Sequence, residues 1–130
     1  LNANYMRAQL ADLYDIAGGE TCMHEFVLNL ERLKQETGVT ALDIAKALLD
    51  HGIHPPTIYF PLIVPEALMF EPTETEARAT LDQAVAVLRQ LYNQAQTAPK
   101  TLHQAPLSTP IRRPDETQAA RQPITRYQWE

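Results

Sequence analysis

Proline placement constrains this chain more than any other feature of its sequence. All ten prolines lie between Pro55 and Pro123, and they leave only one gap long enough for a long helix, between Pro72 and Pro99. Proline lacks a backbone N–H and has a fixed φ, so it is excluded from helix interiors and central strands. Two short β-rich runs bounded by prolines, at 57–60 and 67–71, are therefore predicted to be strands.

Apolar periodicity predicts two elements ahead of the prolines. From residue 1 to residue 14 the apolar residues recur at spacings of three and four, which predicts a helix that ends before Gly18. The chain begins inside this pattern and without Met, so we expect a truncated connecting helix at 1–14 and a piece of a longer protein. Over 25–30, Phe26, Leu28 and Leu30 alternate with Glu25, Val27 and Asn29. This period of two predicts a strand with one face more buried than the other.

Two threonines are placed to begin helices. Thr40 precedes an apolar pattern that ends before Gly52, and Asp43 can reach back to complete a capping box. Thr73 and Glu76 form the same pattern ahead of a continuous apolar face, which predicts the longest helix.

The predicted order is helix, strand, helix, strand, strand, helix. This order favours an α+β domain over residues 1–97, in which an antiparallel or mixed sheet of about three strands is covered by helices on one face. Residues 98–130 contain five prolines and no lasting apolar period, so we expect an extended arm that lies along the surface. Within it, Pro114 favours a short helix over 115–121.

Charge separates the same two regions. Residues 1–97 have a net charge of −7 and residues 98–130 a net charge of +2. An acidic surface repels a phosphate backbone, so nucleic acid is not an expected partner. Cys22 is the only cysteine and is expected to be a small buried hydrophobe rather than a reactive thiol. With no membrane span or signal peptide apparent, we expect a cytoplasmic protein.

The segment HGIHPPTIYFP, residues 51–61, is the first candidate site. Two prolines hold His54 and Thr57 on a stiff loop, and positioned loops of this kind often contact ligands. The alternative is that the prolines only end a helix and begin an edge strand, while His54 bonds a carbonyl.

Two other clusters are not expected to be functional sites. A metal site at His51 and His54 with His24 or Glu25 lacks the usual ligand spacing, so no metal is expected. The carboxylates of 71–76 are expected to lie at a helix start and to offset its dipole.

Basic and aromatic residues mark the last part of the chain. Arg112 and Arg113 are expected to pin the arm to the acidic body, although such a pair could also clamp a carboxylate or phosphate. Tyr127 and Trp129 are either anchors or ordinary tail residues. The chain has neither a nucleotide-binding glycine pattern nor a G-x-S-x-G motif, so residue types alone leave its chemistry open.

Four stretches, which together cover most of the chain, resemble the glycine dehydrogenase (decarboxylating) family, the P-protein of the glycine cleavage system. The central stretch is the most specific, and the proline- and arginine-bearing end is most similar to subunit 2 of the bacterial two-subunit form. The stretches are LNANY at 1–5, CMHEFVL at 22–28, ALDIAKALLDHGIHPPTIYFPLIVPEALMFEPTETE at 41–76 and APLSTPIRRPDETQAARQP at 105–123.

The resemblance implies a pyridoxal-phosphate enzyme of the aspartate-aminotransferase-like architecture (fold type I), with this chain as its small C-terminal domain. Such an enzyme decarboxylates glycine and passes the aminomethyl group to the lipoyl arm of H-protein, with pyridoxal phosphate as the electron sink. The implied partners are an upstream cofactor domain, subunit 1 and lipoylated H-protein.

The family's Schiff-base lysine lies upstream, and none of Lys34, Lys46 or Lys100 sits in a comparable motif. The chain alone is therefore expected to bind no cofactor, to contain no catalytic residue and to be inactive. By resemblance, His54 and Thr57 belong to the wall facing the active-site entrance, and Asn4 and Tyr5 lie near the domain junction. These four are the predicted substrate-binding residues. The alternative function is a non-catalytic interaction module with an acidic body and a basic arm.

Overall fold

The computed structural model describes residues 1–127 and residue 129. Over these residues the chain forms six helices and four strands. The helices are α1 (Asn2–Leu10), α2 (Glu31–Thr37), α3 (Ala41–Asp50), α4 (Arg78–Thr97), α5 (Pro99–His103) and α6 (Glu116–Arg121). The strands are β1 (Asp15–Ala17), β2 (Phe26–Asn29), β3 (Thr57–Ile58) and β4 (Ala67–Phe70).

The four strands form one antiparallel sheet in the order β1-β2-β4-β3. In the central pair, Leu28 lies opposite Leu68 and Phe26 opposite Phe70. All four side chains are buried, and the two phenyl rings stack with centroids 5.4 Å apart. The predicted α+β class is confirmed, with four strands where about three were predicted.

β1 is the strand that the periodicity missed. It has three residues, none of them buried, and it pairs only with β2 at the edge of the sheet. The helix predicted over 1–14 ends at Leu10, because the chain must turn to enter this strand. Tyr14 is buried in the turn, where its hydroxyl donates to the Leu88 carbonyl at 2.8 Å.

The two predicted capping boxes have opposite outcomes. The Thr40 hydroxyl accepts from the Asp43 N–H, and the Asp43 carboxylate accepts from the Thr40 N–H, so the first box is confirmed. The second is wrong: α4 begins at Arg78, after Ala77, with no side-chain cap. The Thr73 hydroxyl bonds that of Thr75 instead, and residues 73–76 make a separate turn before the helix.

The region after residue 97 is partly packed into the core. α5 begins with Pro99 and buries Leu102, and Ala105 and Pro106 are buried after it. The expectation that this whole region lies on the surface is wrong for these residues, whose apolar pattern is too short to show a period. The predicted helix at 115–121 is confirmed as α6, which is capped by Asp115 and has no buried residue.

The connection between β3 and β4 projects an apolar loop, residues 59–63. Tyr59, Phe60, Leu62 and Ile63 are exposed, the last two by 87% and 89%. Glu66 holds the base of this loop: its carboxylate accepts from Lys34 at 2.5 Å and from the Ala41 N–H at 2.8 Å. The loop is therefore an apolar projection on a fixed base.

The helices of the described part are short or amphipathic. None of them has the length and continuous apolar character needed to cross a bilayer.

Candidate functional site

A groove of about 550 Å³ lies beside the loop between α3 and β3. Three stretches line it: the α3–β3 loop, the end of β4 with the residues after it, and the first turns of α4 with Glu76 ahead of the helix. They contribute residues 51–57, residues 69–73, and Glu76, Thr80, Leu81, Gln83 and Ala84, and α1 adds Met6. This concavity is called the His54 groove below.

The α3–β3 loop is built to leave the helix sharply. Gly52 has φ +69°, a left-handed conformation that glycine adopts without strain. The N–H groups of His51, Gly52 and Ile53 donate to the carbonyls of the last helical turn. Pro55 and Pro56 then fix two φ angles before Thr57 enters β3, so both ends of the loop are set by regular structure.

His54 and Thr57 both line the groove, and both are exposed. Among the side-chain hydrogen bonds of residues 1–127 and 129, none involves either residue. The imidazole and the hydroxyl therefore offer donors and acceptors to a ligand, and the carbonyl bond considered as the alternative for His54 is not formed. The substrate-binding role remains a prediction.

The residues of 71–76 were assigned to the wrong place by sequence reasoning. α4 has no acidic residue in its first turn, so these carboxylates do not offset its dipole. Glu71 and Glu76 instead line the groove together with His51 and His54. Their place could not be found from sequence, because it depends on where α4 begins.

Asn4 and Tyr5 lie outside the groove lining. The Asn4 amide donates to the Cys22 carbonyl at 2.7 Å and accepts from the Cys22 N–H at 3.0 Å. The Tyr5 hydroxyl donates to Asp82, and the Arg78 guanidinium lies 5.6 Å from the centre of its ring. Both residues have structural partners in the chain, and their ligand role is still a prediction. Cys22 itself is half-buried against the core.

Metal ligation finds no support in the described residues. They contain no group of three or more His, Cys, Asp or Glu side chains that could hold an ion.

Asp50, the last residue of α3, binds the chain beyond α5. Its carboxylate accepts from the N–H groups of Leu107 and Ser108, each at 2.7 Å, and from the Ser108 hydroxyl at 2.7 Å. Burial raises the pKa of this carboxyl, but the bonds from Ser108 and Leu107 stabilise the charged form more, so its pKa lies below its usual range. Sequence gave no sign of this contact.

Asp43, in the first turn of α3, is the buried charged residue of the core. Besides its Thr40 bonds, it accepts from Arg113 at 2.7 Å and lies 3.1 Å from the His103 ring. Burial raises its pKa, but the bonds from Thr40 and Arg113 outweigh burial and lower it. Arg113 thus pins the arm as expected, whereas Arg112 is exposed.

Comparison with known proteins decides the family. A family model described as "Glycine dehydrogenase, C-terminal domain" matches residues 1–110. The chain belongs to this family. The resemblance found in the sequence is therefore confirmed for the glycine dehydrogenase C-terminal domain.

Three similar proteins are each named "probable glycine dehydrogenase (decarboxylating) subunit 2". The protein from Treponema denticola is 60% identical over 98% of this chain. Those from Thermosipho melanesiensis and Listeria innocua are 53% and 52% identical over the whole chain. The chain spans about a quarter of the length of these curated relatives, 26% of the first and 27% of the second.

Pyridoxal phosphate, which the resemblance implies, needs a lysine for its Schiff base and donors for its phosphate. The groove, as lined by the described residues, contains neither lysine nor arginine. Lys34 is bound to Glu66 at the base of the apolar loop. The groove of this glycine dehydrogenase domain therefore does not fit the cofactor itself, although its polar groups suit a small ligand.

Proposed function

We propose that this chain is the C-terminal domain of subunit 2 of a glycine dehydrogenase (decarboxylating), and that the His54 groove is one wall of the active-site entrance. The observation that carries the proposal is that His54 and Thr57 lie together on one concave surface in a chain of this family. The names of the similar proteins support the same activity.

In this proposal the parent enzyme has the fold type I architecture and binds pyridoxal phosphate through an upstream domain. It works in the cytoplasm with subunit 1, decarboxylates glycine, and gives the aminomethyl group to the lipoyl arm of H-protein. The chain alone is inactive, because its lysines lie away from the groove.

The charge of the groove suggests what this wall contacts. Glu71 and Glu76 face the groove with His51 and His54, and no cation from the described residues lines it. Such a lining attracts ammonium groups and N–H donors. The amino group of glycine, or that of the aminomethyl product, fits this wall better than a free carboxylate does.

The test is assembly with matched histidine variants. The chain is joined to the upstream part of its subunit and mixed with subunit 1 and lipoylated H-protein, and carbon dioxide release from labelled glycine is measured. We expect His54→Ala to lower kcat/KM at least tenfold with an unchanged melting temperature. His24→Ala, at an exposed position outside the groove, is the control and should retain full activity.

Two results would count against the proposal. Full activity of His54→Ala would show that the groove is not part of the active site. A folded assembly that does not decarboxylate glycine would contradict the proposed enzymatic function. The alternative of an interaction module predicts the second result, together with a partner whose binding is lost when residues 114–130 are deleted.

A further inference from the structure

Residues 105–113, here called the strap, run along α3 and bind it at both ends. Leu107 and Ser108 bind Asp50 at the last residue of the helix. Arg113 binds Asp43 in its first turn. The two aspartates are seven positions apart, or about 10 Å along the helix axis. Other side chains of α3 pack into the core, where Ile44 and Leu48 are fully buried.

The contact at Asp50 offsets an electrostatic cost. A carboxylate at a helix C-terminus faces unpaired carbonyls and the negative end of the helix dipole, which is unfavourable. The two strap N–H groups and the Ser108 hydroxyl point at this carboxylate and stabilise it. The strap thus offsets the unfavourable position of the Asp50 charge at the helix end.

Arg113 makes the strap a closed loop rather than a loose end. Its guanidinium donates to the Ala105 carbonyl at 2.7 Å and to the Leu102 carbonyl at 3.2 Å while it binds Asp43. Its side chain is 32% exposed, and that of Asp43 is 5% exposed. The beginning of the strap, its end and the first turn of α3 are therefore joined at one partly buried group.

The α3–β3 loop begins where the strap holds the helix. His51 follows Asp50 directly, and the N–H groups of His51, Gly52 and Ile53 bond to Leu48 and Leu49 carbonyls. The other end of the loop is fixed by the pairing of Thr57 with Met69. The place of His54 in the groove depends on these two anchors, because two prolines make the loop between them stiff.

We infer that the strap is a positioning element for the His54 groove, with Asp50 as its main positioning residue. Within the described residues, the hydrogen bonds of the strap reach α3, Leu102 and the strap itself, and none reaches a residue that lines the groove. Its catalytic consequence rests on the proposed function, whereas its effect on the loop does not.

The test is hydrogen exchange at single amides in the chain. In Asp50→Ala the amides of His51, Gly52 and Ile53 should exchange at least tenfold faster, while those of β2 and β4 change less than twofold. Asp50→Asn keeps one acceptor oxygen and should give an intermediate rate. Asp15→Ala, which loses an exposed ion pair with Arg32, is the matched control and should leave the three amides unchanged.

If Asp50→Ala speeds hydrogen exchange equally at all amides of the chain, or leaves the exchange rates of residues 51–53 unchanged, the inference is overturned. If Asp50→Ala does not fold, Ser108→Ala removes only one contact and should speed the same amides about threefold by loss of one hydrogen bond. An unchanged rate in that variant would overturn the inference as well.

A second readout connects the strap to the proposed activity. In the assembled enzyme, Asp50→Ala should raise the KM for glycine at least fivefold with a smaller change in kcat, and Asp15→Ala should change neither. If His54→Ala keeps full activity while the amides respond, the proposed function fails and the strap stands. If His54→Ala loses activity and the amides do not respond, the strap fails alone.

Discussion

α3 and α4 both pack into the core, but their ends are held differently. α3 has ten residues, and side chains or backbone groups bind it at both ends through Thr40, Asp43 and Asp50. α4 has twenty residues and no side-chain cap, but it buries six apolar side chains. Five apolar residues of α3 are buried as well, so burial holds both helices. Hydrogen bonds of Thr40, Asp43 and Asp50 additionally fix both ends of α3 at defined atoms. The short helix is the one that leads into the candidate site.

The largest loss of stability is expected in α4. Leu88 is fully buried, so Leu88→Ala should lower the free energy of unfolding by about 3 kcal/mol through lost burial and a residual cavity. Urea denaturation measures this change. Leu62→Ala makes the same substitution at an exposed position and should change stability by less than about 0.5 kcal/mol. Equal losses in both variants would show that packing does not hold α4.

Among the hydrogen-bonding residues of α3, the largest effect on stability is expected at Asp43. Asp43→Ala removes the capping box and leaves Arg113 without its carboxylate, which should cost about 2 kcal/mol. A double-mutant cycle with Arg113→Ala checks the cause. The arginine substitution should cost clearly less in the Asp43→Ala background, and strictly additive costs would rule out a direct pair.

Acid should weaken the contacts that Asp43 and Asp50 make at the two ends of α3. The pKa values of Asp43 and Asp50 are lowered in the folded chain, so their stabilisation is present above the unfolded value of about 3.9 and is lost as the pH falls below it. The decrease in the free energy of unfolding should be smaller than the decrease caused by Asp43→Ala, because a protonated carboxyl keeps its volume and some of its hydrogen bonds. Unfolding free energies at pH 6 and pH 3 measure it. Between pH 6 and pH 3, the free energy of unfolding should decrease less in the variant with both Asp43→Asn and Asp50→Asn than in the unsubstituted chain.

The two threonines give the smallest and most specific contrast. Thr40→Ala should cost about 1 kcal/mol through loss of a helix cap. Thr73→Ala should cost less than about 0.5 kcal/mol, because Thr73 is exposed and caps no helix. Similar costs at the two positions would mean that α4 begins at Thr73 in solution.

Sequence predicted the parts of the fold that depend on near neighbours. The Thr40 box, the short helix after Pro114 and the central strands follow from patterns within four residues. β1, α2 and α5 were missed because they are short and are stabilised by distant partners. The Thr73 box failed for a related reason: the hydroxyl bonds Thr75 instead, which spacing alone does not show.

The candidate site was predictable in one of its walls only. His54 and Thr57 stand out because two prolines lie between them, and the structure brings both to the groove. Glu71 and Glu76 line the groove only because β4 ends beside α3, a relation that no local pattern contains. The Asp50 contact joins residues 57 and 58 positions apart, so it appears only after the chain has folded.

The apolar loop at residues 59–63 has a consequence for how the domain behaves in solution. Its exposed side chains attract other molecules of the same kind, while the net charge of −7 over residues 1–97 keeps them apart. Dissolved ions screen the electrostatic repulsion beyond about 10 Å and leave the apolar attraction unchanged. The colloidal stability of the separate domain is therefore set by ionic strength, and purification in dilute buffer suits it best.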